Sequence, residues 1–391
     1  MMRLLLKFFC RGCPPWVWRW GTQVLVLILV VWMGAYGWTN LVYNLQRLNL
    51  SLGFGFLQNQ AGFNLGEAPI AFSSTDSYAW AFWVGWLNSL RVIGAGLILT
   101  TLLGVLLGLA GVAQNWLARN LALVYVEVIR NTPLLLQLFF LYGVLFLSLP
   151  PGAPAIQWVG WLYLSHQGVS LRSLVFLPGA WVWGLWGMLG LGTLLVLWKW
   201  QPWPGGVGMR KLVAGGAIAT LIATLIAAFL TGHSPLGWDA PYLDPNQQVQ
   251  GGLSLSAEFV ALLLGLTLHT AAFIAEIVRG SLLAVPRGQW EAATALGLKP
   301  RLRMRLVIFP QALRIIVPPL TSQYLNLAKN SSLAIAIGYP DLYAVATTTL
   351  NQTGRAVEVV GLLMTVYLSL SLLIAGGMNL LNRQIQRGGV A

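Results

Sequence analysis

Val285-Pro-Arg-Gly-Gln-Trp-Glu-Ala-Ala-Thr-Ala-Leu-Gly-Leu-Lys-Pro-Arg-Leu-Arg-Met-Arg-Leu-Val-Ile-Phe-Pro310 lies between two long apolar runs and belongs to neither. It is too apolar for an idle loop and too charged to cross a bilayer. At helical period Trp290, Ala293 and Leu296 share a face. Gly297 can close that helix as a left-handed cap, and Pro300 suits the first turn of another. The segment therefore reads as two short helices joined at a sharp bend. Two uses of such a pair stay open at this point. One is rest on anionic lipid, which Arg301, Arg303 and Arg305 favour; the other is docking to a protein partner.

The rest of the chain supplies the membrane. Of its 391 residues, 57% are hydrophobic and 8% charged, with a mean hydropathy of +0.72. Soluble domains carry about 25% charged residues, so a water-soluble enzyme and a disordered chain are both excluded. The apolar residues run in continuous blocks rather than alternating, which excludes a transmembrane β-barrel. With 19 Trp and 11 Tyr available as interfacial anchors, the fold class is all-α, a polytopic membrane protein. The net charge of +13 is then read as topology, and no nucleic acid partner is expected. Cys10 and Cys13 form a lone Cys-x-x-Cys, and His166, His233 and His269 are isolated, so no metal site is expected.

A span needs about 20 apolar residues. Eight segments qualify: 24–41, 85–111, 121–149, 181–198, 212–231, 259–283, 312–337 and 357–381. With the N-terminus inside, 18 of the 23 Lys and Arg fall on the cytoplasmic side; Lys329 lies within a span, and Arg47, Arg91, Arg172 and Arg355 lie outside. Both termini are therefore expected in the cytoplasm. The first span reads as an uncleaved anchor, because it is of full spanning length and carries Tyr36 and Trp38 near its end where a signal peptide would carry a small-residue cleavage site. Three external segments are long: 42–84, 150–180 and 232–258. The first two are rich in Trp, Phe and Leu and are expected to lie against the headgroup layer. The third carries Asp239 and Asp244 with no Lys or Arg. Gly205-Gly-Val-Gly208 reads as a turn between spans.

Within the opening segment, Glu291-Ala-Ala293, then three residues, Gly297, then nine residues, then Val307-Ile-Phe-Pro310 resembles the EAA loop of ABC importer permeases. Its usual ending is Ile-x-Leu-Pro, from which Val307 and Phe309 depart conservatively. The flanks Ala275-Glu-Ile-Val-Arg-Gly280, Pro286-Arg-Gly-Gln-Trp290, Pro310-Gln-Ala-Leu-Arg314 and Val126-Glu-Val-Ile-Arg-Asn-Thr-Pro-Leu-Leu-Leu-Gln137 resemble the polar amino-acid branch of that family. The resemblance implies a five-helix permease core, built from residues 85–149 and 258–391 with coupling helices at 286–310. Residues 1–84 and the insertion 150–257, with two extra spans, go beyond it. That layout is similar to the larger permease subunit of general L-amino-acid, or glutamate/glutamine/aspartate/asparagine, importers.

The chain holds no Gly-x4-Gly-Lys-Ser/Thr phosphate cradle, no His-Glu-x-x-His and no Gly-x-Ser-x-Gly. No cofactor is expected on it; by resemblance, ATP and Mg are used by a partner ABC ATPase dimer, which Gln289, Trp290, Glu291, Ala292, Ala293, Leu296 and Gly297 would couple to the spans. Glu291 would face basic groups of that ATPase, and the apolar side chains would seat in its groove. The other implied partners are a second, distinct permease subunit, an external substrate-binding protein and membrane lipid. The candidate path lies on the seventh span, where Pro318 and Pro319 free backbone groups and Thr321, Ser322, Gln323, Asn326 and Asn330 follow. Plain hydrogen bonding between helices is the competing use of those side chains. Lys329 lies about 26 Å along that helix from Ala312 and is expected near the outer interface. Glu127 with Arg130, and Glu276 with Arg279, are spaced as local ion pairs. The alternative to an ATP-driven importer is an ion-coupled secondary amino-acid transporter, which calls for mid-membrane ion sites in two matching halves. A membrane enzyme or scaffold would have no ATPase partner.

Overall fold

The structure, a computed structural model, describes residues 15–47, 53–149, 156–158, 161–176, 236–245 and 249–387, with Gly215, Ile218 and Ile222. Apart from those three residues, the expected spans 181–198 and 212–231 lie outside the described residues, as do Cys10, Cys13, His233 and the turn at Gly205.

Helix α1 (Pro15–Arg47) has every described side chain from Trp20 to Asn40 facing outward. Trp20 and Trp38 lie about 27 Å apart along it, close to the thickness of the hydrocarbon core. Helices α2 (Tyr78–Ala110) and α3 (Trp116–Arg130) follow, then α4 (Leu134–Tyr142), which runs on through a π turn at Gly143–Leu147. After the insertion come α5 (Ala257–Leu283), α6 (Arg287–Ala295), α7 (Pro300–Arg303), a π turn at Met304–Ile308 and α8 (Phe309–Asn330). A 3₁₀ turn (Ser331–Ile337), α9 (Leu342–Thr353) and α10 (Ala356–Arg387) complete the chain. Among the described residues five helices are long and apolar enough to cross a membrane, or six if α3 and α4 count as one bent span.

That bend corrects the reading of 121–149 as one straight span: α3 and α4 meet at 103°. Thr132 precedes Pro133, and the proline ring pushes the residue before it out of the helical region. One side chain bridges carbonyls of α3 and of the break itself. Gln137 Nε2 donates to the Ile129 and Thr132 carbonyls, both at 2.9 Å.

Helix α5 is the axis of the bundle, packed against α2, α3, α4 and α8. Its contact with α2 runs along Thr100, Gly104 and Gly108, one small residue per turn, while Gly96 of the same stripe faces Leu327 of α8. A Cβ at Gly104 would sit 2.7 Å from Ile274 Cβ, and one at Gly108 2.6 Å from Val278 Cβ. Two apolar layers fill the bundle. Leu138, Phe146, Leu262, Leu266 and Tyr339 pack in one half; Ile274, Val278, Leu282, Ile308, Ala312 and Ile316 pack in the other, which reaches down to Val285 and Trp290.

The external segments are a second correction, because the described parts fold onto the protein. Phe56, Ala61, Leu57, Phe63, Leu65 and Phe72 pack against Tyr78, Ala81, Val345, Ala346 and Val359, so residues 53–77 cap the ends of α2, α9 and α10. The insertion contributes β1 (Ile156–Trp158), β2 (Leu162–Ser165), β3 (Gly168–Leu171), β4 (Ser173–Phe176), β5 (Leu236–Asp239), β6 (Tyr242–Leu243), β7 (Val249–Gln250) and β8 (Leu253–Ser256). Strands β1-β2-β3-β8 form an antiparallel sheet, and β4–β5 and β6–β7 form two ribbons. Because β4 pairs with β5, the chain on either side of the two insertion segments is held together at one end of the bundle. β8 passes into α5 at Ser256, whose hydroxyl accepts from the Phe259 amide at 3.1 Å and caps the helix. Asp341 caps α9 in the same way through the Ala344 amide at 2.8 Å, and burial pushes its carboxyl up to about 7.

Candidate functional site

Helix α6 ends in a Schellman turn. The Gly297 amide donates to the Thr294 carbonyl at 2.9 Å and the Leu298 amide to the Ala293 carbonyl at 3.2 Å, with Gly297 at φ +69°. Pro300 then opens α7. The second helix is not a separate short piece, as the sequence suggested. It passes through the π turn at Met304–Ile308 into α8, so the corner is attached directly to a span. The wide turn has a cause: the Pro310 ring would clash with the Leu306 carbonyl in a regular helix.

Side chains lock this corner. Arg303 Nη1 donates to Thr294 Oγ1 at 2.7 Å, and its guanidinium lies 5.6 Å from the centre of the Trp290 ring. Gln311 Nε2 donates to Gln289 Oε1 at 3.0 Å, tying α6 to the first turns of α8. Trp290 packs on the apolar layer below, and Ala293 is buried. The residues expected to meet a partner therefore divide in two. Gln289, Trp290, Ala293 and Gly297 build the corner. Glu291, Ala292 and Leu296 project from it, Leu296 at 78% exposure. Glu291 makes no hydrogen bond or ion pair with another described residue. Leu296 thus leaves the face it was expected to share with Trp290 and Ala293. It is the C-cap, at φ −73° and ψ 4°, already turned off the helix.

Helix α8 passes Pro318 and Pro319 without a break. Ile315, Pro318, Pro319, Ser322, Asn326 and Lys329 form one exposed stripe along it, with Gln323 and Asn330 half-buried at its margin. Thr321 is half-buried, its hydroxyl donating to the Val317 carbonyl at 3.2 Å. The side chains of Gln323, Asn326 and Lys329 make no hydrogen bond with another described residue. Uncommitted amides on a membrane span call for protein or water to satisfy them.

Of the two expected ion pairs, Glu276–Arg279 is present at 2.6 Å. Glu127 instead accepts from Asn131 Nδ2 at 2.9 Å, and Arg130 lies over the Phe273 ring. Two features went unread in the sequence. The Gln137 amide sits 3.2 Å from His269 Nδ1 besides closing the α3–α4 bend; its signal was an amide four residues past the Thr-Pro break. The other is the Gly104-x3-Gly108 seam, readable as a small-residue motif.

Residues 100–387 match the family described as "Binding-protein-dependent transport system inner membrane component". The chain belongs to that family. The permease is 42% identical over 363 residues to the general L-amino acid transport system permease protein AapQ of Rhizobium johnstonii, covering 93% of this chain and 90% of that one. It is 40% identical over 376 residues to the putative amino-acid ABC transporter permease protein YhdX of Escherichia coli, covering 95% of each. To the glutamate/glutamine/aspartate/asparagine transport system permease protein BztB of Rhodobacter capsulatus it is 37% identical over 395 residues, 93% of each. The permease is thus a transport subunit and not an enzyme; ATP is used by a partner ATPase, and a binding protein is the other implied partner. This membership does not favour an ion-coupled secondary transporter.

Proposed function

We propose that this permease forms the membrane path of an ABC importer that moves polar L-amino acids inward by alternating access. Relatives named for general L-amino acids and for glutamate, glutamine, aspartate and asparagine support the substrate class. The observation that carries the mechanism is the corner at α6. A carboxylate with no partner among the described residues and an exposed leucine are held rigidly on a turn fused to α8. Glu291, Ala292 and Leu296 enter the ATPase groove, while Gln289, Trp290, Ala293 and Gly297 hold their geometry. Closure of the ATPases then pulls on α5 and α8 together. The corner and both termini face the cytoplasm of the inner membrane, and the cap and sheet face the binding protein.

The path lies against the exposed stripe of α8, with a second and distinct permease across from it. Pro318, Pro319, Thr321, Gln323, Asn326 and Lys329 stand on or beside that stripe. Gln323→Ala is expected to raise the KM of uptake with the assembled complex intact; unchanged kinetics would assign the amide to helix packing instead. The reading as a whole is tested by purifying the tagged chain from its native membrane in mild detergent and identifying what accompanies it. An ATPase and a second permease are expected. A chain that purifies alone and still drives uptake on an ion gradient would overturn the proposal.

A further inference from the structure

Besides α1, two described elements lie outside the five-helix core, the cap at 53–77 and the outer sheet of the insertion, and one carboxylate joins them. Glu67 Oε1 accepts from Arg91 Nη1 of α2 at 2.8 Å, and Glu67 Oε2 accepts a short hydrogen bond from Ser256 Oγ. Ser256 ends β8 and caps α5, so the same oxygen that touches the sheet touches the first turn of the central helix. The Glu67 carbonyl accepts from Asn88 Nδ2 at 2.9 Å, and that nitrogen also reaches the Pro340 carbonyl at 2.9 Å, just before the α9 cap. Arg91 stacks on Phe259 of α5 at 5.0 Å. The Glu67 carboxylate therefore joins cap, sheet, α2 and the start of α5, and Asn88 ties its main chain to the turn into α9.

The contact differs in kind from the other ion pairs. Glu276–Arg279 and Arg355–Glu358 join residues three apart, whereas Glu67 and Arg91 are 24 residues apart and lie on separate elements, at 15% and 31% exposure. Partial burial strengthens the attraction and makes its loss costly. From Ser256, α5 runs about 40 Å to the far end of the bundle and there gives rise to α6. A displacement of the outer elements that moves the first turn of α5 is carried by a stiff helix to the coupling corner.

We propose that Glu67 is the positioning residue through which a protein docked on the outer cap and sheet shifts α5. The inference rests on the importer reading above. It is tested on the purified complex in nanodiscs. ATPase activity is measured without binding protein, and with binding protein saturated by an equimolar mixture of L-glutamate, L-glutamine, L-aspartate and L-asparagine. Glu67→Gln keeps the shape and removes the charge. It is expected to leave basal ATPase unchanged and to lower the stimulation ratio about fivefold or more, the lower end of ordinary allosteric coupling. Arg91→Gln breaks the pair from the other side while sparing the Glu67–Ser256 bond, and lowers the ratio in the same direction. Arg91→Lys, which keeps the charge, retains it. A wild-type ratio in both glutamine variants overturns the inference, and so does a basal rate that falls in proportion, since that marks a merely structural tie. A wild-type complex that no loaded binding protein stimulates overturns the importer reading, and this inference with it.

Discussion

Glu291→Lys is expected to strip the ATPase from the complex during purification in mild detergent, while the permease itself stays folded in the membrane. The fold is spared because Glu291 is exposed and uncommitted: no hydrogen bond or ion pair with another described residue is lost. The interface is not spared. The substitution adds a cation to a corner already carrying Arg287, Lys299, Arg301, Arg303 and Arg305. Reversing one member of a desolvated charge pair costs about 2–5 kcal/mol or more, which is a loss of roughly 30-fold to several thousand-fold in affinity. Co-purification read by gel and mass spectrometry checks it; a full complement of ATPase on the lysine variant would place the dock elsewhere. Gly297 gives a matched test by a different route. A Cβ there would meet no atom within 4 Å, so a side chain costs only the φ of +69°. That is about 1–2 kcal/mol for an ordinary residue and more for a β-branched one. Gly297→Val is therefore expected to abolish uptake by unwinding the Schellman turn, and Gly297→Asn to retain most of it.

The described spans were legible because lipid imposes long apolar runs, and so was the corner, because Gly297 and Pro300 are punctuation with a mechanism. What escaped the sequence escaped for identifiable reasons. Counting apolar residues over 121–149 passes straight through Pro133, although the proline bends the chain by 103°. Phe56, Phe63 and Phe72 have a composition that suits a headgroup layer and a protein interface equally; only the fold shows them packed on α2, α9 and α10. The outer strands are two to four residues long, too short for alternation to register. The division of the corner into builders and projecting residues was hidden for a subtler reason. Helical period places Leu296 beside Ala293, but the period fails at the residue where the cap begins. On α8 the reverse holds: helical period puts Gln323, Asn326 and Asn330 on one face, and they lie on or beside the exposed stripe.

Gly108→Leu is expected to remove the permease from the membrane altogether, a different failure from the loss of coupling at α6. The α2–α5 seam has no slack. A Cβ at Gly108 would lie 2.6 Å from Val278 Cβ and 2.7 Å from the Ala275 carbonyl oxygen. Val278 can change rotamer, but the carbonyl belongs to the α5 backbone and cannot yield without moving the helix. Moving α5 disturbs α3, α4 and α8, which all pack on it, and drags Ser256 at one end and Val285 at the other. Overpacking in a well-filled core costs about 1–3 kcal/mol per extra group that can be accommodated. Here one group cannot be, and a leucine brings three more. In lipid no hydrophobic drive between helices offsets the misfit, because packing is what holds the spans together. The check is the amount of monodisperse protein recovered in detergent. Gly108→Ala is expected to fall between wild type and Gly108→Leu. The pair Gly108→Ala with Val278→Ala should recover only part of the loss, because it relieves the side-chain contact and leaves the carbonyl. Wild-type recovery of Gly108→Leu would mean that α2 and α5 are not this close in the membrane.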